Sequence, residues 1–151
     1  MALKTKAIMH ELRHHLPLAL LATVFGIALA FILKIFLSDF TKLDDSFEAF
    51  HFLHIFASAI VSGGIFYRYK KKFVYALIIG LSSSVLIGSL SDIIFPFLGG
   101  LIFNLKTSFH FPLLESPLII IGVGLFGSII GISTGFTKLP HFAHVFISTI
   151  A

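Results

Sequence analysis

The sequence predicts an all-α integral membrane protein: a bundle of four transmembrane helices with an N-terminal amphipathic helix and a short C-terminal half-helix. Three observations predict it. Hydrophobic residues make up 57% of the 151 and charged residues 12%, with a mean hydropathy of +1.03, too little polar surface to coat a water-soluble globule of this size. Several apolar runs approach or exceed the ~18–20 residues that cross a bilayer. The basic residues lie between those runs, where the positive-inside rule puts cytoplasmic loops, and this accounts for the net charge of +4 without a nucleic-acid partner. At this length a single membrane domain, 1–151, is expected.

Residues 1–15 carry Lys4, Lys6 and Arg13, with Leu3, Ala7, Ile8 and Leu12 at near-helical spacing, and read as an amphipathic interfacial segment. The first span, 16–37, has Pro17 in its first turn, where a missing amide donor is harmless. Ala28-Leu29-Ala30 imitates a signal-peptide cleavage site, but the apolar run continues through Phe31-Ile32-Leu33, as a retained span does. The connection from Asp39 to Glu48 is acidic and is expected to face outward. The second span, 47–67, takes Asp45 or Ser46 as N-cap and is stopped by Arg68, Lys70, Lys71 and Lys72. The third, 73–95, ends in Ser89-Leu90-Ser91-Asp92 before Pro96, and helical rise puts Asp92 near the outer surface. From Pro96 to Pro117 the chain is broken by Gly99-Gly100, Lys106 and Pro112, and a short interfacial or re-entrant segment is expected. The fourth span, 117–136, carries Gly127, Gly131 and Gly135 at four-residue spacing, a seam for close helix packing within the chain or between subunits. The half-length helix 140–151 completes the chain order.

His51-Phe52-Leu53-His54-Ile55-Phe56-Ala57-Ser58 returns as His141-Phe142-Ala143-His144-Val145-Phe146-Ile147-Ser148. Each copy comes after an apolar run that opens with Pro-Leu and contains Phe-Gly, at Phe25-Gly26 and Phe126-Gly127. The two Phe-Gly runs are the first and fourth of four alternating spans, so the units are expected to be antiparallel, an inverted repeat of the kind used by secondary transporters. In a helix, H-F-x-H puts two imidazoles on one face. With no cysteine in the chain, histidine and carboxylate are the strong ligands left.

These residues make two layers of candidate metal ligands. The outer layer holds His51, His54 and Asp92, with His110 and Glu115 in the nearby loop; two imidazoles and a carboxylate suit Zn, Mn, Fe or Ni. The inner layer holds His141 and His144 with His10, His14 and His15 and Glu11 from the amphipathic start. The leading functional expectation is transmembrane handling, most simply transport, of a divalent transition metal ion between these layers, in a homo-oligomer or a larger membrane complex. No catalytic residue is expected on this reading. The alternatives are a structural or lipid-interacting subunit, whose histidines meet anionic headgroups, and a bis-histidine haem protein. A third is a zinc-dependent protease, since His10-Glu11-Leu12-Arg13-His14 matches H-E-x-x-H.

On the expected orientation Lys4, Lys6, Arg13, Arg68, Lys70, Lys71, Lys72 and Lys138 lie inside, Lys34, Lys42 and Lys106 outside, and both termini are cytoplasmic. Because the native chain has no cysteine, a Lys70→Cys variant should react with a membrane-impermeant thiol reagent only after cells are opened. Labelling of intact cells would reverse the orientation.

Overall fold

A computed structural model describes residues 2–36, 44–105 and 109–150. The acidic stretch 39–43 with Lys42, and Lys106, lie outside the described residues. Every regular element among the described residues is a helix: α1 (Ala2–Phe36), α2 (Asp44–Lys70), α3 (Phe73–Gly88), a π-helical segment (Ser89–Ile94), α4 (Phe95–Ile102), α5 (Pro112–Glu115), α6 (Pro117–Thr134) and α7 (Lys138–Ile150). Four helical stretches are long and apolar enough to cross a membrane: Ile8–Leu29, Glu48–Lys70, Phe73–Ile102 and Pro117–Thr134.

Two expected boundaries change. The amphipathic start and the first span are one continuous helix, with Pro17 inside it and not in its first turn. The proline lacks one amide donor, but its Leu- and Ala-rich flanks favour helix strongly enough to carry the helix through. The third span does not stop before Pro96. Pro96 offers no N–H to the carbonyl four residues back, at Asp92, and its ring crowds that carbonyl. The wider π turn at Ser89–Ile94 absorbs the misfit, and the helix resumes as α4 with Pro96 in its first turn. The chain from α4 to α6 then stays at one end of the bundle, in the short α5, with no further span.

Close approach of backbones holds the bundle together. On α6, Gly124, Gly127 and Gly131 are buried. A Cβ on Gly127 would lie 2.6 Å from the Phe56 carbonyl oxygen, and one on Gly131 would fall on the Ile60 carbonyl. Thus α6 packs parallel to α2 through small residues, within the chain. Gly135 has a different role from the expected seam: at φ +62° it is the left-handed cap that ends α6. Ser128, fully buried, sits where α2, α3 and α6 meet, opposite Gly63 and Gly80.

The pair α1 and α7 repeats this contact. A Cβ on Gly26 would lie 2.7 Å from Thr149 Cβ and 3.4 Å from the Phe146 carbonyl oxygen, while one on Gly127 would lie 3.1 Å from Ala59 Cβ besides its approach to Phe56. In the two copies of the histidine motif Phe56 matches Phe146, and Ala59, the next residue after the motif, matches Thr149. Each Phe-Gly helix therefore meets the histidine helix of the other unit at corresponding residues. Arg68 near the end of α2 reaches both Glu11 and Thr137, so the α1/α7 pair runs opposite to the α2/α6 pair.

Gly131→Ala should lower stability by about 1–3 kcal/mol, because the methyl group has no space beside Ile60. Gly122→Ala, on the same helix with nothing within 4 Å of the new Cβ, should be neutral or gain about 0.5–1 kcal/mol. Thermal unfolding of the two variants in detergent checks the contrast.

Candidate functional site

Asp92 is the centre of the site. The π turn carries it to the bundle interior, where it is 3% exposed, against His51 and His54 of α2 at 1% each. His51 Nδ1 lies 3.0 Å and His54 Nδ1 2.6 Å from the same oxygen, Asp92 Oδ2. A carboxylate oxygen accepts, so each Nδ1 donates its N–H to Asp92. The hydroxyls of Ser91 and Ser148 donate to Asp92 Oδ1 at 2.6 and 3.0 Å. The expected grouping of His51, His54 and Asp92 is present, and Asp92 is buried against α2. Its Oδ2 receives both imidazole N–H groups and so orients the two rings.

The expected separation into two layers at opposite faces does not hold. From the tip contact of Ser148 with Asp92, α7 lays its histidines along α2 and α1. The His144 ring lies 5.4 Å from that of His54, His141 lies 4.9 Å from His144, and His15 of α1 lies 4.6 Å from His141. His15 Nε2 is 3.2 Å from Glu11 Oε2. The result is one unbroken row, Asp92, His51 and His54, His144, His141, His15, Glu11, assembled from α1, α2, the π turn and α7. Depth counted along the chain set the two groups apart, because it placed α7 by its length and could not show that it packs upright against α1 and α2. Both ring nitrogens of His144 and Nδ1 of His141 are buried and have no hydrogen-bond partner among the described residues.

Glu11 closes the row at the basic end. Its Oε1 accepts from Arg68 Nη1 at 3.1 Å and from Tyr69 Oη at 2.7 Å. Arg68 Nη2 also donates to the Gly135 carbonyl and to Thr137 Oγ1, at 3.1 and 3.3 Å, so one guanidinium ties α1 and α2 to the turn before α7. Glu11 is thus engaged by Arg68, Tyr69 and His15, an arrangement unlike the glutamate of an H-E-x-x-H zinc site, which activates a metal-bound water. His10 is exposed, and the side chain of His14 lies outside the described ones.

Among the described residues a further set, Glu48, His110 and Glu115, brings one possible ligand atom from each to within 4.8 Å of one another. The sequence pointed to His110 and Glu115 but missed Glu48, although it lies three residues before His51 on the same helix. Ser148 was also missed as a site residue; the signal was its place in the repeated motif.

Among the described residues the fold and site define a helical chain with four helices long and apolar enough to span a membrane and a row of buried and half-buried histidines anchored on one aspartate. No family model, curated protein or solved structure matches the chain.

Asp92→Ala would leave two buried imidazole N–H groups without their acceptor and should cost about 2–4 kcal/mol. Asp92→Asn keeps one acceptor oxygen and should cost less. Denaturation in detergent compares the two, and equal losses would show that the carboxylate does not hold the histidines.

Proposed function

We propose that the protein is an integral membrane protein built as an inverted repeat, and that it moves a divalent transition metal ion along its histidine row. The observation that carries this reading is the contact between His54 and His144. They occupy the same position in the two copies of the motif, and they meet ring to ring, 5.4 Å apart. Equivalent residues of oppositely directed halves touch only near the pseudo-twofold axis, which is where inverted-repeat transporters hold their cargo. The matching Gly26 and Gly127 contacts support the same relation between the halves.

The chemistry of the row favours a metal. A tetrahedral ion with metal–nitrogen bonds of about 2.0–2.1 Å holds two imidazole centroids about 5 Å apart, and the successive spacings of 5.4, 4.9 and 4.6 Å are of that size. Neutral imidazole suits Zn, Fe, Ni and related ions. Asp92, hydrogen-bonded to His51 and His54, acts as the outer partner that orients ligating imidazoles. Rings this close leave no slot for a porphyrin between them, which disfavours haem. A stability role accounts poorly for five imidazoles gathered in an apolar bundle, because each buried polar group costs free energy unless satisfied. Transport would proceed as the α1/α7 and α2/α6 pairs rock against each other around the row, with Arg68 and its neighbours at the cytoplasmic end.

Purified protein should be stabilised thermally by Zn2+ or Mn2+, and proteoliposomes should take up the ion. His54→Ala and His144→Ala should each reduce uptake tenfold or more, and the double variant should add little, because ligands of one ion act as a unit. Adjacent imidazoles also relay protons, so a pH-sensitive dye is read beside the metal indicator. Proton flux without metal flux, or additive effects of the two substitutions, would sink the metal reading.

A further inference from the structure

We propose that Glu48, His110 and Glu115 form a second divalent-cation site, at the end of the bundle opposite Arg68, which loads the ion onto the row. As a binding site it rests on its own geometry; its loading role rests on the transport reading above.

Three separate segments supply the ligands. Glu48 stands in the first part of α2, three residues before His51, so it lies about 4.5 Å further along the helix axis and on much the same face. His110 comes from the connection before α5, and Glu115 from the end of α5. His110 Nε2 is 3.3 Å from Glu48 Oε1, and His110 Nδ1 is 2.7 Å from Glu115 Oε2. The imidazole therefore draws both carboxylates to one place. In a bound site, ligand atoms about 2.1 Å from an ion are separated by about 3.4 Å. The three candidate atoms already lie within 4.8 Å of one another, a gap that rotation of these partly exposed side chains closes.

The loop is built to present these groups. Phe109 packs edge-on against Phe97 of α4, with centroids 5.2 Å apart, and stacks on Phe111 at 6.0 Å with an interplanar angle of 8°. The Phe111 backbone N–H donates to Glu115 Oε1 at 3.2 Å, which leaves Oε2 turned to His110. Aromatic packing fixes the backbone on either side of His110, and a backbone amide fixes the second carboxylate.

Two carboxylates and one imidazole form a harder ligand set than the all-imidazole part of the row. It takes first-row divalent ions such as Mn2+, Fe2+ or Zn2+, with water completing the coordination. Such exposed carboxylates can collect a hydrated ion and exchange its water in steps, whereas the buried imidazoles one turn further in require it stripped. Placed one turn outside His51, the triad stands where an ion bound for His51 and His54 would first exchange its water for protein ligands.

Mn2+ binding to the full-length protein in detergent, followed by its electron paramagnetic resonance signal, tests the site. His110→Ala and Glu115→Gln should each raise the Kd of one class of sites tenfold or more, while His144→Ala leaves that class unchanged. Both substitutions are at the periphery, and thermal unfolding within a few degrees of wild type verifies the fold. Unchanged Mn2+ binding in His110→Ala, Glu115→Gln and Glu48→Gln overturns the site. In proteoliposomes, His110→Ala should slow uptake at low but not at saturating Mn2+; equal slowing at both, or none at either, overturns the loading role. Loss of binding in the triad variants, with His54→Ala and His144→Ala silent, would keep this site and discard the transport reading.

Discussion

A carboxylate buried in an apolar bundle must be surrounded by donors, and the structure is arranged around that requirement. Asp92 accepts hydrogen bonds from His51 and His54, Ser91 and Ser148. An uncompensated charge in such surroundings costs several kcal/mol or more, so the four donors are conditions of the fold. They come from α2, from the π turn itself and from the far end of α7. Satisfying Asp92 therefore fixes the rotation of α2, the register of the π turn and the placing of α7 at once.

The polar row is a consequence of that placement. An α7 that brings Ser148 to Asp92 also brings His144 to His54 and His141 to His15. At the other end Arg68 sets the origin of α7 by holding the Gly135 carbonyl and Thr137. The helix is thus pinned at both ends by hydrogen bonds, and along its length by the close approach of Gly26. None of its residues is fully buried, so polar anchoring carries more of its positioning than apolar burial does. The α2/α6 pair is the reverse case, held by glycine-mediated contact of backbones where dispersion acts at short range.

These two ways of holding a helix bear on the proposed function. A transporter needs one rigid unit and one that can shift against it. The α2, α3 and α6 group meets through Gly63, Gly80, Gly127, Gly131 and Ser128, a seam with no slack. The α1/α7 pair meets α2 and the π turn through Arg68, Tyr69 and Ser148 and also through His54 and His144, which are candidate ligands, so an ion that changed partners along the row would change some of the contacts that hold the two units together. In such an arrangement binding and movement share the same residues.

Composition and charge placement determined the helical class and the four long apolar stretches, because hydropathy and bilayer-scale length act locally along the chain. The repeated motif marked His51, His54, Ser58, His141, His144 and Ser148, and helical spacing placed each pair of imidazoles on one face. Asp92 was legible as an acid in an apolar helix end. Its partners were less so: helical rise gave depth along one helix, but not the π turn that rotates Asp92 inward, nor the tilt and docking of a thirteen-residue helix. Only tertiary packing decided that His144 faces His54, that Glu11 pairs with Arg68, and that Glu48 of α2 meets His110 of the distant loop. Those contacts join residues far apart in sequence, and the choice among them depends on which donors a buried carboxylate can recruit, a property of the whole bundle and not of any one segment.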